Sequence, residues 1–193
     1  MSYRTHAKRL MDLFVGATLL LLTGIPMILA MFMILASSPG PVFFVQTRVG
    51  LGGKPFRILK LRTMTVDPGR VTAQTLNSDP EVLPVGKFLR HFKIDELPQI
   101  VNVLKGDMSL VGPRPCLEET RAAMPDWARR RFEVRPGLTG LAQVNGNVSL
   151  SWVERWRHDV DYVNRYSLVL DMKIIAKTVV VLLLGENRFR SVI

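Results

Sequence analysis

The sequence predicts an α+β, mostly helical protein in two parts: a membrane element over residues 1–38 and a small polar domain over residues 39–193. Three observations lead there. From Leu13 to Ser37 no residue is charged, a run about as long as a bilayer-crossing helix needs. The chain is 48% apolar yet 22% charged, which suggests one strongly apolar segment joined to a polar domain rather than a multi-span transporter. Twelve prolines and fourteen glycines favour short elements and shaped loops over a long bundle.

The formal net charge of +10 asks for an anionic partner, and nucleic acid, anionic lipid and phosphorylated small molecules all qualify. Cys116 is the one cysteine, so an intramolecular disulfide and a cysteine-based zinc site are excluded. His6, His91 and His158 lack metal-ligand spacing.

Lys8 and Arg9 precede the apolar run, with Arg4 further upstream; Arg48, Lys54, Arg57, Lys60 and Arg62 follow it. Ala36-Ser37-Ser38 resembles a signal-peptide cleavage site, but the run is about twice the usual signal core. A straight transmembrane helix fits the length, although basic flanks on both sides sit poorly with the positive-inside rule. A re-entrant hairpin fits the flanks, because Thr23-Gly24-Ile25-Pro26 lies near the middle of the run. Pro26 lacks the backbone donor and clashes with the preceding turn, and Thr23 is placed to satisfy a freed carbonyl. Span and hairpin both stand on these grounds.

In the polar part, Pro41-Val42-Phe43-Phe44-Val45 reads as a short strand, followed by Gly50-Leu51-Gly52-Gly53. Phe56 to Arg62 alternates apolar with basic residues, so a strand would point Lys60 and Arg62 the same way, at a spacing suited to a diphosphate or simply to solvent. Val66 to Pro80 reads as a loop. After Pro84, Val85, Phe88, Leu89 and Phe92 recur at helical spacing.

Leu97, Ile100, Val101 and Leu104 follow the i, i+3, i+4, i+7 pattern of a packed helix. Pro98 suits its first turn, which places Asp95 and Glu96 at the helix N-terminus, where the dipole favours ionised carboxylates. Asp95 is then either an ordinary cap or an ionised nucleophile beside a cation-binding Glu96. Arg114 between Pro113 and Pro115 is held in a nearly fixed backbone that suits a phosphate grip. Arg135-Pro136-Gly137 is a second rigid basic turn. Trp127 to Arg131 has the pattern of a headgroup-level anchor. Ser151 to Tyr166 forms an amphipathic helix with Trp152, Trp156, Val160 and Val163 on one side, suited to a membrane surface or to a core. Leu170 to Leu184 is too short to span and suits docking or an interface.

These segments together resemble the monotopic phosphoglycosyl transferases of the bacterial sugar transferase family. The likeness runs in order over nearly the whole chain. It includes Lys8-Arg9-Leu10-Met11-Asp12, Gly40-Pro41-Val42-Phe43-Phe44, Gln46, Arg48, Lys60, Arg62-Thr63-Met64 and Asp95-Glu96-Leu97-Pro98-Gln99. It continues through Val111-Gly112-Pro113-Arg114-Pro115, Arg135-Pro136-Gly137, Ala142-Gln143-Val144-Asn145-Gly146 and Leu170-Asp171.

The resemblance implies that Asp95 attacks the β-phosphorus of a UDP-sugar and releases UMP. Polyprenyl (undecaprenyl) phosphate then takes the sugar phosphate from the aspartate. Glu96 would bind Mg²⁺ or assist proton transfer, and Lys60, Arg62, Arg90, Arg114 and Arg135 would handle phosphates. It further implies a helix-break-helix re-entrant hairpin broken at Pro26, anchored by Lys8 and Arg9. The small catalytic domain, with short strands and interfacial amphipathic helices, would sit on the cytoplasmic face of the bacterial inner membrane among phospholipids, with no nucleic acid partner. A small member without additional N-terminal membrane helices is expected. Two departures stand out: Ile25 replaces the serine common before the hairpin proline, and Asn147-Val148 replaces an Arg-Asn pair.

Overall fold

The computed structural model describes residues 6–65 and 79–184; most of the loop expected from Val66 to Pro80 lies outside them, as does Arg4. The apolar run forms one 30-residue helix, α1 (Lys8–Ser37). The break expected at Pro26 is not an interruption of helical structure: the helix continues through the proline. Pro26 cannot donate to the Leu22 carbonyl, and Thr23 does not take that role. Its hydroxyl donates to the Leu19 carbonyl at 2.7 Å, one turn's register away. In so apolar a stretch the remaining backbone groups have no better partners than one another, so helical bonding persists on both sides of the missing bond.

α1 packs by its two ends. Lys8, Asp12 and Gly16, spaced four apart, are buried near its start, and Ala30 and Ile34 near its end. Lys8 pairs with the fully buried Asp171 at 2.5 Å. Asp12 accepts from the Ser109 hydroxyl and the Leu110 N–H, both at 2.9 Å. Gly16 allows close approach, since a Cβ there would lie 3.2 Å from the Leu104 side chain. Ala30 and Ile34 pack with Leu61 and Leu89. Between these ends most side chains, including Leu21, Leu22 and Ile25, are exposed.

β1 (Phe43–Val49) and β2 (Pro55–Leu61) form an antiparallel hairpin running from the Phe43–Leu61 pair to the Val49–Pro55 pair. β1 extends four residues beyond the expected strand. Its second half, Gln46-Thr47-Arg48, is polar and is held by pairing, which an apolar pattern does not reveal. Helices α2 (Pro84–His91) and α3 (Gln99–Lys105) follow, with a 3₁₀ turn at Ile94–Glu96 between them. The chain then forms β3 (Ser109–Val111), α4 (Glu118–Ala122), a 3₁₀ run at Asp126–Glu133, β4 (Gly137–Thr139) and α5 (Leu141–Val144). It ends with α6 (Trp152–Arg165) and α7 (Leu168–Leu184).

β3 and β4 pair in parallel; each has three residues, too few to carry a periodic signal. Their crossing is made by glycines. A Cβ on Gly137 would lie 2.1 Å from the Gly112 nitrogen, and one on Gly140 2.1 Å from the Gly112 carbonyl oxygen. This backbone-on-backbone contact fixes the Pro113-Arg114-Pro115 turn, and the Gly137 N–H donates to the Pro113 carbonyl at 2.9 Å.

The main core gathers Ile58, Val103, Met108, Val111, Tyr162 and Ile174 from both halves of the chain. α6 opens with a capping box in which Ser151 and Glu154 bond reciprocally. Its buried side is Trp156, Asp159, Tyr162 and Val163 rather than the purely apolar stripe expected. Asp159 is drawn inward by Arg131 at 2.9 Å, both almost fully buried. Arg131 is therefore a core residue, whereas Arg129 and Arg130 stay exposed in short-range pairs with Asp126 and Glu133. α7 buries Asp171, Ile174 and Val181 and leaves Val179, Val180, Leu182 and Leu183 uncovered.

Candidate active site

Asp95 and Glu96 sit in the 3₁₀ turn, not at the α3 N-terminus. Lys93 adopts the left-handed region (φ 56°) and turns the chain back from α2, and Pro98 occupies the α3 cap position with no side chain capping it. The expected cap for Asp95 is thus absent, and the dipole does not set its charge. The turn instead packs beneath β2, which carries Lys60.

The two carboxylates have opposite environments. Glu96 is gripped on Oε1 by Lys60 Nζ at 2.7 Å and Arg114 Nη2 at 2.6 Å, with Arg114 Nη1 3.3 Å from Oε2. Burial pushes Glu96 upward, but Arg114 and Lys60 outweigh it and hold the group well below the usual carboxylate range. Asp95 is 8% exposed, and no described residue hydrogen-bonds or ion-pairs with its carboxylate. Burial, then repulsion from Glu96, pushes it up to about 6 against the smaller opposing effects of Lys60, Arg90 and Lys93. A pair with such divergent environments assigns roles: Glu96 is a fixed anion that orients two cations, and Asp95 is unencumbered and electron-rich once ionised.

The expected phosphate-binding cations divide into two groups. Lys60 and Arg114 converge on Glu96. Arg90 donates through Nε to the Thr63 hydroxyl at 2.8 Å and lies close enough to act on Asp95. Arg62 and Arg135 are engaged elsewhere. Arg62 donates to the Ser38 and Pro39 carbonyls, both at 2.6 Å, and ties down the exit from α1. Arg135 donates to the Gly106 carbonyl at 2.8 Å at the end of α3. Arg9, expected among the membrane anchors, grips the Val103 and Leu104 carbonyls at the same helix end. These arginines donate to backbone carbonyls at or just past helix ends, and sequence spacing cannot distinguish that task from phosphate binding.

Sequence reasoning also missed residues. Arg131 donates through Nη2 to the Arg114 carbonyl at 2.5 Å while pairing with Asp159, so a buried ion pair holds the turn that aims Arg114. Arg48 lies near Arg114 and Glu96; strand alternation would have placed it on the Lys60 face had β1 been read through Val49.

A cavity of about 300 Å³ opens beside Glu96. Val15 and Leu19 of α1, Ile100 of α3, Leu138 of β4, and Ile175 and Leu182 of α7 line it, with Lys93, Glu96 and Arg114 at its polar end. Among the described residues no cluster of three His, Cys, Asp or Glu side chains forms a protein-only metal cage. Asp95 and the less tightly held Oε2 of Glu96 do fit the sparse donor set that Mg²⁺ takes when substrate phosphates supply the rest.

A long apolar helix clamped onto a small basic domain, with a split carboxylate pair among cations at the end of an apolar groove, defines a membrane-associated, phosphate-handling enzyme. The chain belongs to the bacterial sugar transferase family, whose model matches residues 3–185. It is 46% identical over 192 residues to a Caulobacter vibrioides protein named UDP-glucose:undecaprenyl-phosphate glucose-1-phosphate transferase, covering 94% of this chain and 72% of that one. It is 42% identical to an uncharacterized sugar transferase of Bacillus subtilis, covering 93% and 89%. A galactosyl transferase of Streptococcus agalactiae is 39% identical, but there the match spans 94% of this chain and 43% of the relative.

Proposed function

We propose that this chain transfers a sugar-1-phosphate from a UDP-sugar to undecaprenyl phosphate, giving undecaprenyl diphosphate-sugar and UMP. The observation that carries the reading is the buried Asp95 carboxylate, without a hydrogen-bond or ion-pair partner among the described residues, beside a Glu96 that holds Lys60 and Arg114 and reaches, with Arg114, the lining of an apolar groove. The names of the relatives make UDP-glucose the first donor to test and UDP-galactose the second.

An ionised Asp95 oxygen attacks the phosphorus bonded to the sugar, and the bond to the bridging oxygen breaks with its electron pair leaving on UMP. An oxygen of undecaprenyl phosphate then attacks the same phosphorus and displaces Asp95, which is regenerated. Lys60 and Arg114 screen the repulsion between carboxylate and diphosphate. Asp95 and Glu96 would hold Mg²⁺, which supplies further neutralisation of phosphate charge when bound. The apolar groove takes the first isoprene units of the acceptor and brings its phosphate to Lys93 and Arg114.

The way α1 packs supports a re-entrant anchor. Thirty helical residues extend about 45 Å when straight, more than the roughly 30 Å hydrocarbon core. Both ends of α1 nonetheless pack on one small domain, which a helix with its ends on opposite membrane faces could not do. On this reading the anchor dips into the cytoplasmic leaflet and returns, with the exposed middle of α1 and the uncovered side of α7 in lipid.

The test is UMP release from a UDP-sugar panel with undecaprenyl phosphate and Mg²⁺, together with intact mass after incubation with donor alone. UMP release and a sugar-phosphate adduct, both lost in Asp95→Asn, are expected. Product formation by Asp95→Asn at the parent rate overturns the mechanism; anionic-lipid binding with no turnover of any UDP-sugar returns the chain to a non-catalytic membrane-surface protein. A periplasmic thiol reagent that labels a cysteine introduced near residue 3 overturns the re-entrant topology.

A further inference from the structure

We infer that Arg48, oriented by Gln46, binds the phosphate of the nucleotide part of the donor, on the side of Glu96 away from the apolar groove. The inference rests on the transferase reading above. Phe44 pairs with Lys60 and Arg48 with Phe56 across the hairpin, so period-two alternation places Phe44, Gln46 and Arg48 on the face that carries Lys60. Gln46 is two residues along β1 from Phe44, and its Oε1 accepts from Arg48 Nη2 at 2.6 Å. A neutral amide thus holds the guanidinium in place without neutralising it.

No described acidic side chain forms an ion pair with Arg48 within 4 Å, and its Nε is buried without a partner. Its neighbour is another guanidinium, Arg114, and burial followed by that like charge pulls Arg48 below the usual arginine range. The other inward arginine nearby, Arg131, has a dedicated partner in Asp159. Two adjacent guanidiniums, of which Arg114 pairs with Glu96 while Arg48 feels Glu96 and Glu119 only at a distance, leave Arg48 under-compensated in the free enzyme. A phosphate with two charges and several acceptor oxygens makes up the deficit, and a planar fork suits bidentate binding of such a group.

Position separates the nucleotide from the lipid. The groove touches Glu96 and Arg114 but none of Gln46, Arg48 or Lys60. The acceptor phosphate therefore reaches the acidic pair from the α1–α7 side, and the hairpin side is left for the nucleotide. When the bond between the two donor phosphates breaks, both electrons go to the UMP oxygen, and Arg48 with Arg114 faces that developing charge.

The experiment measures UMP affinity by calorimetry, KM for UDP-glucose and KM for undecaprenyl phosphate, on the full chain in detergent micelles, with thermal melts as a fold control. Arg48→Gln is expected to weaken UMP binding and raise the donor KM about tenfold or more, with the acceptor KM changed less than about twofold. Arg48→Lys is expected to recover part of the loss, and Gln46→Leu to show a weaker form of it. These two variants carry the test if Arg48→Gln melts early. Unchanged UMP affinity and donor KM in all three overturn the inference, as does a rise confined to the acceptor KM. A parent that neither binds nor releases UMP overturns the transferase reading itself, and a parent that does both while the variants match it overturns Arg48 alone.

Discussion

Replacing Asp95 with asparagine removes the proposed nucleophile and should, on this structure, stabilise the protein. The carboxyl titrates at about 6 against an ordinary 3.8 because burial and the Glu96 charge both disfavour its ionised form. A gap of about two units corresponds to about 3 kcal/mol. The folded protein holds the Asp95 proton more tightly than the unfolded chain does. Relative to a neutral side chain, Asp95 therefore costs nothing below pH 4, and its full penalty develops as pH rises from 4 through 6. Asp95→Asn should then gain up to about 3 kcal/mol at pH 7.5, a rise in Tm of up to about 10 °C for a chain of this size, while UMP release disappears. Melts at pH 4.5 should show most of that gain lost, since the parent carboxyl is already protonated there, whereas Glu96 keeps its charge. The same titration places the acid limb of kcat/KM for the donor near pH 6, with about a tenfold fall per unit below it. A Tm that falls or stays level at pH 7.5, or a gain of equal size at both pH values, would refute the assignment of a buried, repelled Asp95.

Three further outcomes follow from the packing. Lys8→Met takes the ion-pair partner Lys8 from the buried Asp171, which keeps the Tyr162 hydroxyl bond, and should cost about 3 kcal/mol by melting; Lys8→Met with Asp171→Leu should recover much of it, and a double variant as unstable as the single would count against a dominant charge penalty. Gly137→Ala drives a methyl to 2.1 Å from the Gly112 nitrogen and should prevent folding or cost more than about 4 kcal/mol, read as loss of a cooperative melt. Arg131→Lys keeps the charge but loses the fork that bonds both Asp159 and the Arg114 carbonyl, so UMP release should fall about tenfold. In an Arg114→Lys background the same change should have little further effect on turnover; equal losses in both backgrounds would show that Arg131 does not act through Arg114.

Much of this protein is legible one residue at a time. The charge-free run marks α1, the 3.6-residue pattern marks α2 and α3, and Pro113 and Pro115 mark a rigid arginine turn, because each signal is local and physical. Local pattern leaves Asp95 open as a helix cap and Lys60 as a solvated strand residue, the family resemblance singles them out with Glu96 and Arg114, and the structure places the four side by side. The three-residue strands β3 and β4 escaped because their contact consists of glycine backbones with no side-chain pattern. Tertiary structure alone decided the task of each arginine. Arg9, Arg62 and Arg135 serve backbone carbonyls, Arg131 serves a turn and Asp159, Arg114 holds Glu96, and Arg48 lies near both Arg114 and Glu96. A guanidinium has the same donors and the same charge in every one of these places, so what it binds depends on which groups the fold leaves unsatisfied within its reach. The charge state of Asp95 was decided in the same way. Sequence position suggested a dipole-stabilised anion, whereas burial and the neighbouring Glu96, both products of packing, raise its pKa instead.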